Sequence, residues 1–342
     1  MKPHQKELKL ADWWEPHSTG KLLCTLCPRY CTIGESKAGF CYIRQNSNGK
    51  LYSLGYGRPS GFAIDPIEKK PLNHFLPGSY ILSFGTAGCN LGCKFCQNWS
   101  ISKAKLNSSN STYASPENVI SLAKEHKTPS IAFTYNDPVI FGEYVVDISK
   151  LASEEKINSV MVTAGYIDRN ARKDVFKYIN AANVDLKAFS ELFYYKLTLS
   201  HLAPVLDTLT WLKNETDIWF EITTLLIPDE NDSEKEIIQM CDWILKNLGE
   251  NVPLHFTAFH PDFKLINKNS TPITTLIRAR EIALKSGINF CYLGNVHLEV
   301  AQSTYCTKCN SLLIQRNWHS INMVNISNGV CVNCKEKLSG IF

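Results

Sequence analysis

The chain has 342 residues, of which 44% are hydrophobic and 20% charged, with a formal net charge of +4. This length suits one large domain with one or two small ones, and the composition is that of a folded globular protein, not of a disordered or collagenous one. The small positive excess contains no block of like charges, which argues against nucleic acid as a partner, and no apolar stretch is long enough for a membrane span.

The thirteen cysteines are the abnormal feature. Eleven fall in three clusters, at 24/27/31/41, 89/93/96 and 306/309/331/334. Cys241 and Cys291 stand alone in apolar settings that suit buried thiols. The opening MKPHQKELKLADWW lacks an apolar core segment, so no secretory leader is expected and the cytoplasm is the expected compartment. Clustered C-x2-C pairs then read as metal sites in place of disulfides.

Residues 21–45 carry C-x2-C-x3-C-x9-C through Cys24, Cys27, Cys31 and Cys41. Two readings stand. Structural zinc would fold a module too small for its own core, and four ligands closing the site lean that way; the other reading is an auxiliary iron–sulfur cluster or a redox iron. A short hairpin and a Pro-rich connector follow, containing Lys69, Lys70 and His74, the last expected to be a hydrogen-bonded surface residue.

From Tyr80 short β-branched or aromatic runs alternate with helical stretches. The pattern predicts strands at 80–85, 130–135, 158–163, 183–188, 217–227, 254–259 and 289–293. Helices are expected at 116–126, 138–156, 169–181, 203–214, 232–248 and 272–286, with Pro116, Pro138, Pro204 and Pro272 near their starts. Repeated β/α units imply a parallel sheet, and six or seven imply a (β/α)6 partial TIM barrel with its chemistry at the C-terminal strand ends. The expected division is 1–72 for an N-terminal four-cysteine module and connector, 73–300 for the barrel, and 301–342 for a C-terminal four-cysteine module.

The first barrel strand runs into GTAGCNLGCKFCQNWSI, with Cys89, Cys93 and Cys96 spaced C-x3-C-x2-C. Three thiolates leave one iron of a [4Fe–4S] cluster open to bind a ligand, by the logic that separates catalytic from structural zinc. Other strand ends carry polar groups. The second ends in Thr134-Tyr135-Asn136-Asp137-Pro138, where Asp137 is also a sound N-cap. The third ends in Thr163-Ala164-Gly165-Tyr166. Period two puts Asn183, Asp185 and Lys187 on one face of the fourth, where Asp185 and Lys187 either bind a ligand or pair with each other. Glu221 and Thr223 share a face of the fifth, and His255 and Thr257 a face of the sixth; Glu221 and His255 are candidates both for ligand binding and for satisfied core groups. The last strand ends at Gly294. The tail's C-x2-C-x21-C-x2-C, through Cys306, Cys309, Cys331 and Cys334, reads as a zinc-ribbon-like knuckle, with redox iron as the alternative.

The cysteine loop, with Phe95 before its last cysteine, resembles that of the radical S-adenosylmethionine (SAM) enzymes. The segments WWEP, LCTLCPRYCTIGE, GFCYIRQ, LYSLGYGRPSG, DPIEKKPLNHFLPGS, TAGCNLGCKFCQNWSIS and YLGN resemble the AmmeMemoRadiSam system members, relatives of pyruvate formate-lyase (glycyl-radical) activating enzymes. The resemblance implies a [4Fe–4S] cluster on Cys89, Cys93 and Cys96, and a SAM site drawing on Phe95, Asn136, Asp137, Thr163, Gly165, Asp185, Lys187, Glu221, His255 and Gly294. Asp185 and Lys187 are the catalytic candidates. Asp137 stands where the family usually has glutamate, and Asp229 replaces a glycine of the family pattern. The implied reaction is reductive cleavage of SAM to methionine and a 5′-deoxyadenosyl radical that abstracts hydrogen from a protein or small molecule, a glycyl-radical activase role among them. Implied partners are a flavodoxin- or ferredoxin-like reductant and, by association only, Memo and AMMECR1 proteins. The alternative class is a non-catalytic electron-transfer or scaffold protein with several metals.

Overall fold

The computed structural model describes residues 8–106 and 112–342. Its centre is an eight-stranded sheet: β1 (Ser60–Pro66), β2 (Tyr80–Gly85), β3 (Ser130–Phe133), β4 (Asn158–Thr163), β5 (Ala181–Asp185), β6 (Trp219–Leu226), β7 (Leu254–Ala258) and β8 (Cys291–Gly294). The strands lie side by side in chain order. β2 to β8 are parallel, and β1 joins antiparallel beside β2. Among the described residues six helices of seven or more residues connect them: α1 (Pro116–Glu125), α2 (Gly142–Glu154), α3 (Arg169–Val175), α4 (Ala203–Glu215), α5 (Glu234–Asn247) and α6 (Ile273–Ser286). The sheet does not close on itself, since β8 and β1 are its two edges. This is the expected (β/α)6 partial barrel. Among the described residues no helix is long and apolar enough to cross a membrane.

Local chemistry sets the element ends. Ser115 and Asn118 form a capping box at the start of α1, with Pro116 in the first turn, and Asp168 and Ser233 cap α3 and α5. Three expectations need correction. Residues 60–66 belong to the barrel sheet and not to a connector, because β1 pairs along the free edge of β2. Helix α3 stops at Val175, so β5 starts at Ala181, in register with Val160 and Trp219. His74 is fully buried, not a surface residue.

His74 belongs to the floor of the barrel. Ile67, Leu72 and Phe75 pack against Ile81, Ala132, Val160 and Ala181 near the N-terminal strand ends. Above them Glu221 accepts four bonds: His74 N–H (2.7 Å) and Trp219 Nε1 (3.1 Å) on one oxygen, and Asn73 N–H (2.9 Å) and His255 Nε2 (2.7 Å) on the other. His74 Nδ1 lies 2.7 Å from the Ser339 carbonyl, so it must carry the proton, and Nε2 then accepts from Tyr292 Oη at 2.6 Å. Arg316 continues the network, donating to Thr304 Oγ1 (2.7 Å) and to the Asn73 carbonyl (2.6 Å). Ile341 exchanges backbone bonds with His74 and Leu76, both 2.7 Å. The tail is therefore part of the barrel floor.

The N-terminal strands are bolted to the outside of the barrel. Arg44 donates to Glu143 of α2 at 2.7 Å, with both side chains almost wholly buried. Breaking such a pair from one side leaves a buried charge and costs roughly 3–5 kcal/mol.

Burial lowers the His74 pKa from 6.5 to about 4 despite nearby Glu221. The unfolded chain therefore takes up this proton first as pH falls. The contribution of neutral His74 is complete above about pH 6.5 and is lost progressively down to about pH 4, up to about 3 kcal/mol. The gap in urea midpoint between wild type and His74→Gln should narrow as pH falls through that window; a gap that stays constant would refute the assignment.

Candidate active site

The loop after β2 brings Cys89, Cys93 and Cys96 to one wall of a cavity of about 410 Å³, within the range of small-molecule sites. The loop has almost no regular structure of its own and is pinned from several sides. Asn136 donates Nδ2 to the Gly88 carbonyl (2.8 Å) and Thr86 Oγ1 (3.2 Å), while its Oδ1 accepts from Thr86 N–H (3.1 Å). Gly92 N–H and Lys94 N–H donate to the carbonyls of Thr198 and Leu197 at 2.7 and 2.9 Å. Gly88 has φ +89°, and a Cβ there would stand 2.1 Å from the Cys41 carbonyl oxygen, so only glycine fits.

The sulfurs sit among donors. Leu91 N–H reaches Cys89 Sγ at 3.4 Å, Asp137 N–H also donates to it, and Ser102 Oγ lies 3.1 Å from Cys96 Sγ. Burial pushes the Cys93 thiol up to about 12 and raises Cys89 as well. Such thiols give up their protons when they bind a metal.

The carboxylates divide by height. Asp137 Oδ1 accepts from Thr163 Oγ1 (2.8 Å) and Val139 N–H (3.2 Å), but its buried Oδ2 has no partner. Burial lifts its pKa to about 6 against the pull of those two bonds. Across the cavity Lys187 Nζ donates to Asp185 Oδ2 at 2.9 Å. Burial alone would disfavour the Lys187 ammonium, but Asp185 holds it protonated, above the ordinary lysine range. Thr223 adds a second buried, unpartnered oxygen, Oγ1, to the same cavity. A site with two orphaned acceptors and a cationic lysine fits a polar, zwitterionic ligand.

Of the expected site residues, Cys89, Cys93, Cys96, Phe95, Asn136, Asp137, Asp185 and Lys187 line the cavity. Asn136 spends its amide on the loop. Thr163 stands behind Asp137, and Gly165 N–H donates to Thr163 Oγ1 at 3.1 Å, so these two position the carboxylate from outside the cavity wall. Glu221 and His255 are corrected: Glu221 is saturated in the floor network and His255 is its donor, and neither lines the cavity. Gly294 is also displaced, because its missing side chain makes room for Thr257, whose Cγ2 would lie 2.7 Å from an added Cβ. Thr223, Thr257 and Asn295 line the cavity in their stead. Period two already placed Thr223 and Thr257 one layer nearer the C-terminal strand ends, which was the available signal.

The two cysteine quartets differ. In the tail, Cys306 and Cys334 sulfurs are 3.5 Å apart and Cys309 and Cys331 3.8 Å. All four lie within 4.8 Å of one another, and among the described residues this is the set of three or more potential ligands so compact. Sulfurs at roughly 2.3 Å from a single tetrahedral ion would be spaced in this way.

A model of the radical SAM superfamily matches residues 84–241. The uncharacterized protein MJ0808 of Methanocaldococcus jannaschii is 38% identical over 333 residues, covering 97% of this chain and 99% of the relative. A second protein of that organism, MJ0674, is 23% identical over 297 residues, covering 79% and 76%. Among solved structures, SuiB of Streptococcus suis bound to S-adenosylmethionine has a TM-score of 0.51 at 15% identity, covering 70% of this chain and 56% of that one. A radical SAM methyltransferase from Sphaerobacter thermophilus has a TM-score of 0.51 at 16% identity, covering 70% and 71%. The chain belongs to the radical SAM superfamily. Membership points to an enzyme and implies a [4Fe–4S] cluster and SAM.

Asn136→Ala would leave Thr86 N–H and the Gly88 carbonyl without partners in a buried place, at about 1–3 kcal/mol each. The reconstituted variant should lose iron to a chelator several-fold faster than wild type, with its far-UV circular dichroism unchanged. Equal rates would mean that the amide does not hold the loop.

Proposed function

We propose that this protein binds a [4Fe–4S] cluster on Cys89, Cys93 and Cys96 and uses it to cleave SAM reductively. The observation that carries the reading is a cavity presenting, among the described residues, three cysteine sulfurs and no fourth, together with the buried, unpartnered Asp137 Oδ2 and Thr223 Oγ1. When bound, the cluster supplies one electron to the sulfonium of SAM, which yields methionine and a 5′-deoxyadenosyl radical able to take hydrogen from a substrate. The chain's own groups do the rest. Asp137 Oδ2 would receive the SAM amino group, and Thr163 and Val139 N–H keep that carboxylate oriented. Lys187, held charged by Asp185, would attract the ligand's carboxylate, and Phe95 and Leu91 would help exclude water.

A second cleft of about 520 Å³ shares Lys69, Pro71, Thr257 and Asn295 with the first and continues to Trp318 and His319 of the tail. This supports a substrate that approaches over the open edge of the barrel beside the C-terminal module. The quoted segment motifs support the AmmeMemoRadiSam type, with a peptide or small-molecule hydrogen donor. The sulfur spacing in the tail supports zinc on Cys306, Cys309, Cys331 and Cys334.

Reduced, reconstituted protein should convert SAM to 5′-deoxyadenosine. Cys93→Ala should abolish this and lower the iron content. Asp137→Asn keeps the Thr163 and Val139 contacts available but sets an amide where the ammonium would dock; it should retain full iron and weaken SAM binding about tenfold or more. Wild-type 5′-deoxyadenosine formation by Cys93→Ala would sink the reading. Unaltered SAM affinity in Asp137→Asn would remove Asp137 from it.

Cys306→Ser should cost the protein about one zinc per chain by elemental analysis. Because Arg316 and Ile341 complete the floor, it should also lower the unfolding midpoint of the whole barrel and not only loosen the tail. Loss of iron in place of zinc would overturn the metal assignment.

A further inference from the structure

The N-terminal quartet behaves differently from the C-terminal one. Cys24, Cys27, Cys31 and Cys41 are all free thiols and line one cavity. Among the described residues no three of these four are compact enough to join the tail quartet, whose sulfurs all lie within 4.8 Å of one another. Four irons at the corners of a cube need their cysteines spread wider than a single ion does. Backbone donors are aimed inward as well: Arg29 N–H at Cys27, and Ile43 and Arg44 N–H at Cys41. Arg29 and Arg44 also line this cavity, Arg44 with its guanidinium paired to Glu143.

The quartet also touches the radical site. Asn90, next in sequence to Cys89, lines its cavity, and Arg29 donates to the Asn90 carbonyl. The Cys41 carbonyl packs onto Gly88 so closely that a methyl group there would overlap it. The loops that carry the two cysteine sets therefore touch at Gly88 and at Asn90.

We infer that Cys24, Cys27, Cys31 and Cys41 bind a second [4Fe–4S] cluster, which passes electrons to the radical site. The metal assignment corrects the lean towards zinc that four-ligand closure suggested; the relay role rests on the proposed SAM chemistry. One electron enters from a reduced flavodoxin- or ferredoxin-type protein, crosses by way of the Gly88–Asn90 contact, and leaves in the reductive cleavage of SAM. The donor is oxidised by one electron and no proton or group is transferred between the two sites.

The test uses the full chain, purified without oxygen from iron-replete cells. Cys89→Ala/Cys93→Ala/Cys96→Ala should still contain about four iron and four acid-labile sulfide per chain, with about one zinc, and should give the electron paramagnetic signal of a reduced [4Fe–4S] cluster. About two zinc and no iron in this variant would overturn the metal assignment, whether or not wild type cleaves SAM. Cys24→Ser/Cys27→Ser should lose those irons and keep the radical cluster. With dithionite it should form 5′-deoxyadenosine at the wild-type rate, and with a reduced flavodoxin at least tenfold more slowly. Equal rates with both reductants would overturn the relay and leave the cluster. If this variant fails to fold, the triple variant still decides the metal.

Discussion

Three thiols must be held at fixed positions by a loop that has almost no secondary structure with which to hold them. The rest of the molecule answers that constraint. Backbone groups of the Gly85–Cys96 loop are bonded to Asn136 after β3, to Leu197 and Thr198 after β5, and to Arg29 from the N-terminal module. Lys103 closes the remaining side by donating to the Leu91 carbonyl at 2.7 Å. Each bond is worth about 1 kcal/mol net, but each group left unpaired in this buried place would cost more, so the loop is fixed by the sum of small penalties.

The floor solves a different problem. A partial barrel is open below as well as at its edge, and polar groups near the N-terminal strand ends must be covered without being stranded. Glu221 is tolerated at zero exposure because each oxygen accepts two bonds. Burial pushes its carboxyl up, but the bonds it accepts, that from His255 foremost, hold it below the ordinary carboxylate range. Arg316 enters from the tail with both Glu68 and the Asn73 carbonyl in reach, so the metal-binding module supplies a cation that the barrel floor requires. The cost of desolvating these groups is offset only while the whole network stands.

Much of this was legible in the sequence. Strong β-branched runs with proline-started helices gave the parallel architecture, and the C-x3-C-x2-C spacing gave the metal loop, because both rest on local rules. What failed was depth. Strand period tells which face a side chain takes, not how far along the barrel it sits, and Glu221 and His255 were placed one layer too high. They are the third and second residues of their strands, whereas barrel chemistry gathers at the opposite ends. The clamp from Tyr194 to Leu199 had no signal at all: it is a π-type turn closed by Leu199 at φ 53°, formed because Gly92 leaves room for the Leu199 side chain. His74 misled for another reason, since its partners at Tyr292 and Ser339 lie more than two hundred residues away.

That separation has a consequence during synthesis. Ser339 and Ile341 leave the ribosome about 265 residues after the His74 they bond to. Until then the nascent barrel can pair its strands in order, each with the one just made, but its underside remains wet and Glu221 lacks its settled surroundings. The emerging chain is therefore a sheet with an unfinished base, whose closure is a contact of long sequence separation. Metal loading of the two upstream cysteine sets can precede that closure, because both are complete before the last parallel strand is translated.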